Sequence, residues 1–559
     1  MQRIKSTWLL MLLLALVLVL AACAGDGEPS NNDVNNNGGN DNNDNANNDG
    51  EAADGAGHLI IAVGADIVSL STHGSNDVPS SNVGENIYET LTVLDENQEV
   101  QPGLAEDWEE VDETTWDFKL REGVTFHDGE ELTAEVVKTN FERLVDEKIA
   151  SPRAFLLDQV ESVEVVDDHT VRLNLEYAYA PLLSNLAHNG TGIMSPKIIE
   201  EDYAQLASDA GENNGEENEG PAEEGDPDGY INQNSAGTGP FKYQEWVPGE
   251  KVVLERYDDY WGDTAKLDSV EFKVVSEQSS RVAELETGSS HVADGIGPNN
   301  ISRVDGMPNA EALQIPSVSL NYIGINVQKE PFDDVKVRQA ISMAIDKDEI
   351  IEGVYEGVGI PAIGPLAPLV FGFDEDVDGL DYDIEKAKEL LAEAGYEDGF
   401  STTIWTNDNE QRMDTAIAVQ SQLDEIGIDV EIEELEWGAY LDRTANGDHD
   451  MFILGWSTVT SDADYGMYPL FHSSQHGSPG NRSFFANDEV DKLLEDARMA
   501  TDVDERLSLY SDAQELLVEE APMLYLNHGE HLVGVDEKVK DFTVDAQGIY
   551  QFKQAYIEE

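Results

Sequence analysis

Between residues 321 and 499 short apolar runs alternate with longer amphipathic ones, and no other feature limits the fold of this chain so strongly. The runs at 321–327, 402–405, 428–435 and 451–456 have the length and the β-branched or aromatic content of strands. Segments 335–344, 384–394, 414–426 and 489–499 repeat apolar residues at helical spacing. Strand and helix in turn predict an α/β lobe whose helices cover a sheet.

The first half is mixed. Residues 58–63 (HLIIAV) read as a strand and 114–120 alternate with period two, while 133–145 form an amphipathic helix opened by Thr133 with Glu135 close behind. Two hairpins are expected, 162–166 with 170–175 and 241–246 with 251–257, each around a polar turn. Between them 200–229 is acidic and Gly-rich without a basic residue, which predicts a surface insertion lacking order. The roughly 500 residues after position 57 exceed the 250–300 or so that one core supports, so at least two lobes are required.

The beginning of the chain has a different character. Arg3 and Lys5 precede an uncharged apolar run at 8–22, shorter than the about 20 residues of a membrane span, and the run stops in small residues. This is the pattern of an export signal. Leu20-Ala21-Ala22-Cys23 resembles the lipobox of bacterial lipoproteins, which implies acylation of Cys23 and a mature chain starting there. Cys23 is the single cysteine, so the folded part has no disulfide and no catalytic or metal-binding thiol. Residues 24–57 are rich in Asn, Asp, Gly and Ala with no Lys or Arg, and read as a flexible tether.

The net charge is −83, from 115 acidic and 32 basic residues. Such a surface repels nucleic acid and anionic headgroups, which excludes both as partners of the folded part. It suits salty or alkaline surroundings.

Catalytic signatures are sparse. There is no phosphate loop, no His-Glu-x-x-His and no Gly-x-Ser-x-Gly. His472 and His476 are spaced for one helix face and for a metal, but the Gly and Ser around them favour a loop. Asp462 and Asp464 form a close acid pair, a spacing that 115 acids make uninformative by itself. Their context says more, because they follow the end of the apolar run 451–456, where α/β sheets hold ligands. No Lys or Arg lies between Arg443 and Arg482, so a buried carboxylate there would take its cation from a ligand.

Four stretches carry a family resemblance: LAEDWEEVDETTWDFKLREGVTFHDGEELTAEVVKTNFER (104–143), GTGPFKYQEWVPGEKVVLERYDDYWG (237–262), YIGINVQKEPFDDVKVRQAISMAIDKDEII (322–351), and GWSTVTSDADYGMYPLFHSS with its sequel NRSFFANDEVDKLLEDAR. In this order they resemble the family 5 extracellular solute-binding proteins of peptide-type ABC importers. The resemblance covers nearly everything from 59 to 530.

It implies an α/β, two-lobed periplasmic-binding-protein-like fold of class II, cluster C type, with an extra domain on lobe I. The expected divisions are a signal peptide (1–22), lipidated tether (23–57), lobe I (58–318) with an extra subdomain near 100–234, lobe II (319–523) and a return to lobe I (524–559). The chain crosses between lobes near 316–321 and 522–525. In dipeptide binders of this family an Asp-Pro-Asp turn holds the ligand's ammonium and an Arg before a helix holds its carboxylate. Asp462-Ala463-Asp464 matches the first with Ala for Pro; Arg412, or else Arg482, is the looser match for the second. Residues 73–91 (HGSNDVPSSNVGENIYETL), with Asn76 and Asp77, together with residues 455–485, look most like the glutathione-binding subgroup. Trp405, Trp437 and Trp456 are candidate pocket walls, and Asn76, Asp77 and Tyr322 are further candidate ligand contacts.

The expected function is therefore a lipid-anchored, monomeric receptor on the outer face of the membrane, in the periplasmic space or its equivalent. It captures a short peptide or glutathione-like zwitterion for an ABC permease and its ATPase, without a cofactor or catalysis. A nickel-chelate or oligosaccharide receptor is the alternative, and a surface glycosidase using the acid pair a remote one.

Overall fold

The computed structural model describes residues 57–212, 229–478 and 480–558. The signal and tether expected at 1–56, Cys23 included, lie outside the described residues.

Lobe I is built on a seven-stranded sheet. Its centre is parallel: His58–Val63 pairs with Ser269–Val274 on one side and Val292–Asp294 on the other. Antiparallel strands extend it, Lys251–Arg256 and Phe241–Val247 beyond one edge, Glu530–Asp536 and Ala310–Pro316 beyond the other. Leu59, Ile61, Phe241, Leu254, Val270 and Phe552 pack into one core over it.

Lobe II carries a six-stranded sheet. Ser319–Ile325 sits between Met523–His528 and Met451–Ser457, and Phe400–Asn407 runs parallel to Met451–Ser457 and to Ile428–Leu435. Successive side chains of a strand point to opposite faces. Leu320, Tyr322, Phe452 and Leu454 therefore enter one core, and Ile323, Ile325, Met451 and Ile453 enter another on the opposite face. Both faces are covered, which is why these strands are continuously apolar.

The extra subdomain is a four-stranded antiparallel sheet in the order Ala105–Asp112, Thr115–Leu120, Thr170–Leu175, Val160–Asp167. Helix Ala134–Leu144 packs on it, with Thr133 as its N-cap. The insertion expected at 200–229 begins instead as helix, Pro196–Glu212, because Ile198, Ile199 and Tyr203 join the lobe I core. Residues 213–228 lie outside the described residues.

Two short links join the sheets, Ser317-Val318 and Gly529. The return falls later than expected from sequence, since Met523–His528 completes the lobe II sheet before the chain leaves it. The links are tied together: Ser317 N and Oγ both donate to the Gly529 carbonyl, at 3.1 and 2.8 Å.

Candidate functional site

The three parallel strands of lobe II end on one edge, and each leads into a helix that starts there. Asn409 caps Glu410–Asp424, Glu436 caps Trp437–Ala445, and Asp462 caps Ala463–Phe471 by accepting from Asp464 N at 2.9 Å. Helix N-termini carry partial positive charge, so this edge attracts anions before any side chain is considered.

Asp462 and Asp464 lie at this edge and are only 1% and 5% exposed. The expectation that a ligand supplies their cation is corrected by two arginines. Arg506 Nη2 meets Asp462 Oδ1 at 2.6 Å, and Arg498 Nε meets Asp464 Oδ1 at 2.8 Å. Helices Asp488–Met499 and Val503–Glu520 fold back and deliver these guanidiniums from 34 and 44 residues away. Arg498 also lies over the Tyr468 ring at 3.6 Å, and Arg506 over Phe371 at 4.8 Å. Burial pushes the Asp464 carboxyl up, and Arg498 draws it back only in part. Two buried acids matched by two buried bases make a neutral quartet.

That quartet faces lobe I. Tyr179 OH donates to Asp464 Oδ2 at 3.1 Å, Ser184 Oγ to Asp462 Oδ2 at 3.4 Å, and Ala180 N to the Arg498 carbonyl at 2.8 Å. Beside it Phe155 stacks on Tyr465 at 5.1 Å. The acid pair therefore joins the extra subdomain to lobe II.

Arg412 and Arg482 behave differently. Among the described residues neither has a carboxylate at ion-pair distance, a state they share with the buried Arg153 and Arg281, whereas Arg143, Arg338, Arg498 and Arg506 each have one. Arg482 is 5% exposed, donates through Nη1 to the Leu441 carbonyl and Thr444 Oγ1, and leaves Nε without a partner. Burial lowers its pKa. Half-buried Arg412 donates to Asn407 Oδ1 at 3.0 Å and lies over the Trp437 ring at 5.4 Å. Both arginines act electrostatically on the buried hydroxyls of Tyr322 and Tyr440, whose pKa values burial raises. Arg412, at the strand-end edge, and Arg482, against the last turn of helix Trp437–Ala445, thus act on the same two buried hydroxyls from different sides.

The tryptophans divide. Trp405 is a core residue at 3% exposure, under the Arg443 guanidinium at 4.2 Å. Trp437 is 42% exposed, and Trp456 is half-buried with Nε1 donating to the Tyr465 carbonyl.

On lobe I, Asn76 is exposed and Asp77 caps helix Val78–Ile87 through Oδ1, leaving its buried Oδ2 without a partner. Arg153 responds electrostatically to both Asp77 and Tyr465, so this turn lies near the junction of the lobes. His472 and His476 are committed to Ser474 and Glu495 and to the Phe485 carbonyl, and no metal-holding group of His, Cys, Asp and Glu occurs among the described residues.

Sequence reasoning missed Arg498, Arg506 and Tyr179. The local signal for Arg506 is the helical spacing of Tyr510, Ala513, Leu517 and Val518 in the segment that carries it, but nothing in sequence spacing brings Tyr179 to Asp464.

A two-lobed α/β fold with its polar groups gathered at the strand ends facing the junction defines a solute-binding receptor. The model of the bacterial extracellular solute-binding proteins, family 5, matches residues 99–478, and the chain belongs to that family. It is 33% identical over 485 residues to the dipeptide-binding protein of Escherichia coli (strain K12), covering 82% of this chain and 86% of the relative. It is 30% identical to the glutathione-binding protein GsiB of Pectobacterium atrosepticum, covering 89% and 94%. Among solved structures it resembles the periplasmic binding protein DppA from Helicobacter pylori in complex with peptide STSA, with a TM-score of 0.75, 32% identity, and coverage of 90% and 98%. Family membership makes the chain a receptor of ABC transport acting outside the cytoplasm, and not an enzyme. No helix among the described residues is long and apolar enough to cross a membrane.

Proposed function

We propose that the protein captures short peptides or peptide-like zwitterions between its lobes and delivers them to an ABC permease. The observation that carries this reading is the pair of cations Arg412 and Arg482, partly buried and with no carboxylate at ion-pair distance. A ligand α-carboxylate completes it. The dipeptide and glutathione names of the relatives support the same ligand class.

The ligand's ammonium goes to lobe I, where Asp77 Oδ2 has no hydrogen-bond partner and Asn76 precedes it in the chain. Asp462 and Asp464, already neutralised, hold the lobes instead. A ligand touching both lobes favours the closed form by its differential affinity. Ser317-Val318 and Gly529 serve as the hinge. The chain acts as a monomer held to the outer face of the membrane by a lipid on Cys23; in this reading Cys23→Ser releases it from membranes, and unchanged membrane retention refutes the anchor.

Calorimetry with a dipeptide and its C-terminal amide tests the ligand reading. Arg482→Met is expected to weaken dipeptide binding by about 2–5 kcal/mol and the amide far less, as for truncation of one partner of a desolvated charge pair. Equal binding of dipeptide and amide by the wild-type protein overturns it.

A further inference from the structure

The last residues of the three parallel strands of lobe I, Val63, Val274 and Asp294, meet around a cavity of about 270 Å³. Its position is the one at which open α/β sheets hold ligands, outside the carboxyl ends of their strands. Val78 and Pro79, in the helical turn after Asp77, form another wall. The cavity therefore adjoins the turn already given to the ligand's ammonium. Its volume lies just below the roughly 300–1,000 Å³ of sites for drug-sized molecules, a size for one side chain.

The walls are apolar, with Val63, Val78, Val252, Phe272 and Val274 among them. The charged groups lining it are the carboxylates of Asp66 and Asp294, and no Lys or Arg lines it. Asp66 is occupied by Trp246 Nε1, at 3.2 Å from both oxygens, and by Gly249 N at 2.6 Å. Asp294 accepts from Tyr550 OH through Oδ1, which leaves Oδ2 available. His531 Nε2 donates to the Ala546 carbonyl at 3.1 Å, so in the neutral ring Nδ1 is an acceptor, and burial lowers the pKa of this ring and keeps it neutral. Arg281 spends its guanidinium on the carbonyls of Asp294, Val275, Ser276 and Gly295. Apolar walls with acceptors and no free donor cation suit a ligand that is aliphatic along its length and positive at its tip.

We propose that this cavity receives a Lys- or Arg-type side chain of the bound peptide, with Asp294 Oδ2 and His531 Nδ1 as its acceptors. The proposal rests on the peptide reading above and narrows it: the preferred ligands are short peptides with a basic side chain, not the doubly acidic glutathione.

The test is calorimetry on the full chain with three tripeptides that differ only at the central residue: Ala-Lys-Ala, its norleucine analogue and Ala-Glu-Ala. The Lys peptide is expected to bind at least tenfold tighter than the norleucine peptide, and the Glu peptide weakest. Asp294→Asn, which keeps the hydrogen bond to Tyr550, is expected to shrink the Lys-to-norleucine ratio severalfold. Asp66→Asn is a second variant with the same readout, expected to have the smaller effect. Equal affinities for Lys and norleucine peptides overturn the cavity assignment and leave the peptide reading standing. Failure of all three peptides to bind overturns both.

Discussion

Asp464 and Arg498 meet at 2.8 Å with side chains only 7% and 13% exposed, and the tyrosine that completes the contact, Tyr179, comes from the other lobe. A pair that looks like a ligand socket in sequence is a structural joint. Removing one member leaves the other charged and buried, which costs about 3–5 kcal/mol, whereas removing both at once is often neutral. Arg498→Met is therefore expected to lower the unfolding temperature markedly, and Arg498→Met with Asp464→Leu to recover most of the loss. Calorimetric melting of the three proteins checks this; a single variant that melts like the wild type would refute the joint.

Tyr179→Phe separates stability of the lobes from contact between them. It leaves the ion pair intact and deletes the hydrogen bond to charged Asp464, about 1.5–3 kcal/mol in such settings, along with the one Tyr179 accepts from Asn185 Nδ2 within its own subdomain. Because Tyr179 is assigned no contact with the ligand, its effect on binding comes through the closed state alone. The expected outcome is about a tenfold loss of peptide affinity carried mainly by faster dissociation, with a larger radius of gyration in solution scattering at saturating ligand. Affinity and scattering both unchanged would show that closure does not depend on this contact.

How much of this was visible in the chain depends on separation along it. Strand 58–63 and strand 428–435 match their observed bounds, and Thr133 caps its helix as expected, because each is written in local periodicity and capping. The lobes themselves follow from length and alternation. The partner of Asp464 does not, since Arg498 and Tyr179 are set by how two helices and a subdomain dock. Arg412 and Arg482 were legible only as cations near strand ends. That they lack carboxylate partners is a fact of packing; Arg153 and Arg281 share it, so it favours Arg412 and Arg482 as a clamp only together with their place in lobe II.

Trp437 offers a graded test of the clamp. Its ring is 42% exposed and lies beneath Arg412 at 5.4 Å, so it holds the guanidinium at the edge without supplying charge. An exposed cation–π contact contributes about 0.5–1 kcal/mol. Trp437→Leu is expected to weaken dipeptide binding roughly two- to fivefold, with Trp437→Phe between it and the wild type, and ligand addition should alter the tryptophan fluorescence of the wild type more than that of either variant. Wild-type affinity in Trp437→Leu would separate Arg412 from the clamp.

The last prediction concerns pH. Burial, aided by the charges of Asp545 and Glu89, raises Glu85 from 4.5 to about 8, and burial raises Asp545 from 3.8 to about 6 against its backbone hydrogen bonds. Between about pH 4 and 8 the folded chain therefore holds protons at these sites that the unfolded chain has released. Stability falls with rising pH wherever the native state binds more protons. The cost is absent near pH 4, grows through neutrality and is complete above pH 8, the reverse of the usual salt-bridged carboxylate. Glu85→Gln removes the ionisable group and keeps the side chain polar. The variant is expected to melt close to the wild type at pH 5 and above it at pH 8.5, by an amount corresponding to on the order of 2–5 kcal/mol, since each pKa unit is worth about 1.4 kcal/mol. Comparing the two proteins at each pH cancels the general repulsion of a chain with a net charge of −83. A difference in melting temperature that does not change between pH 5 and 8.5 would mean that Glu85 titrates as an ordinary surface carboxylate.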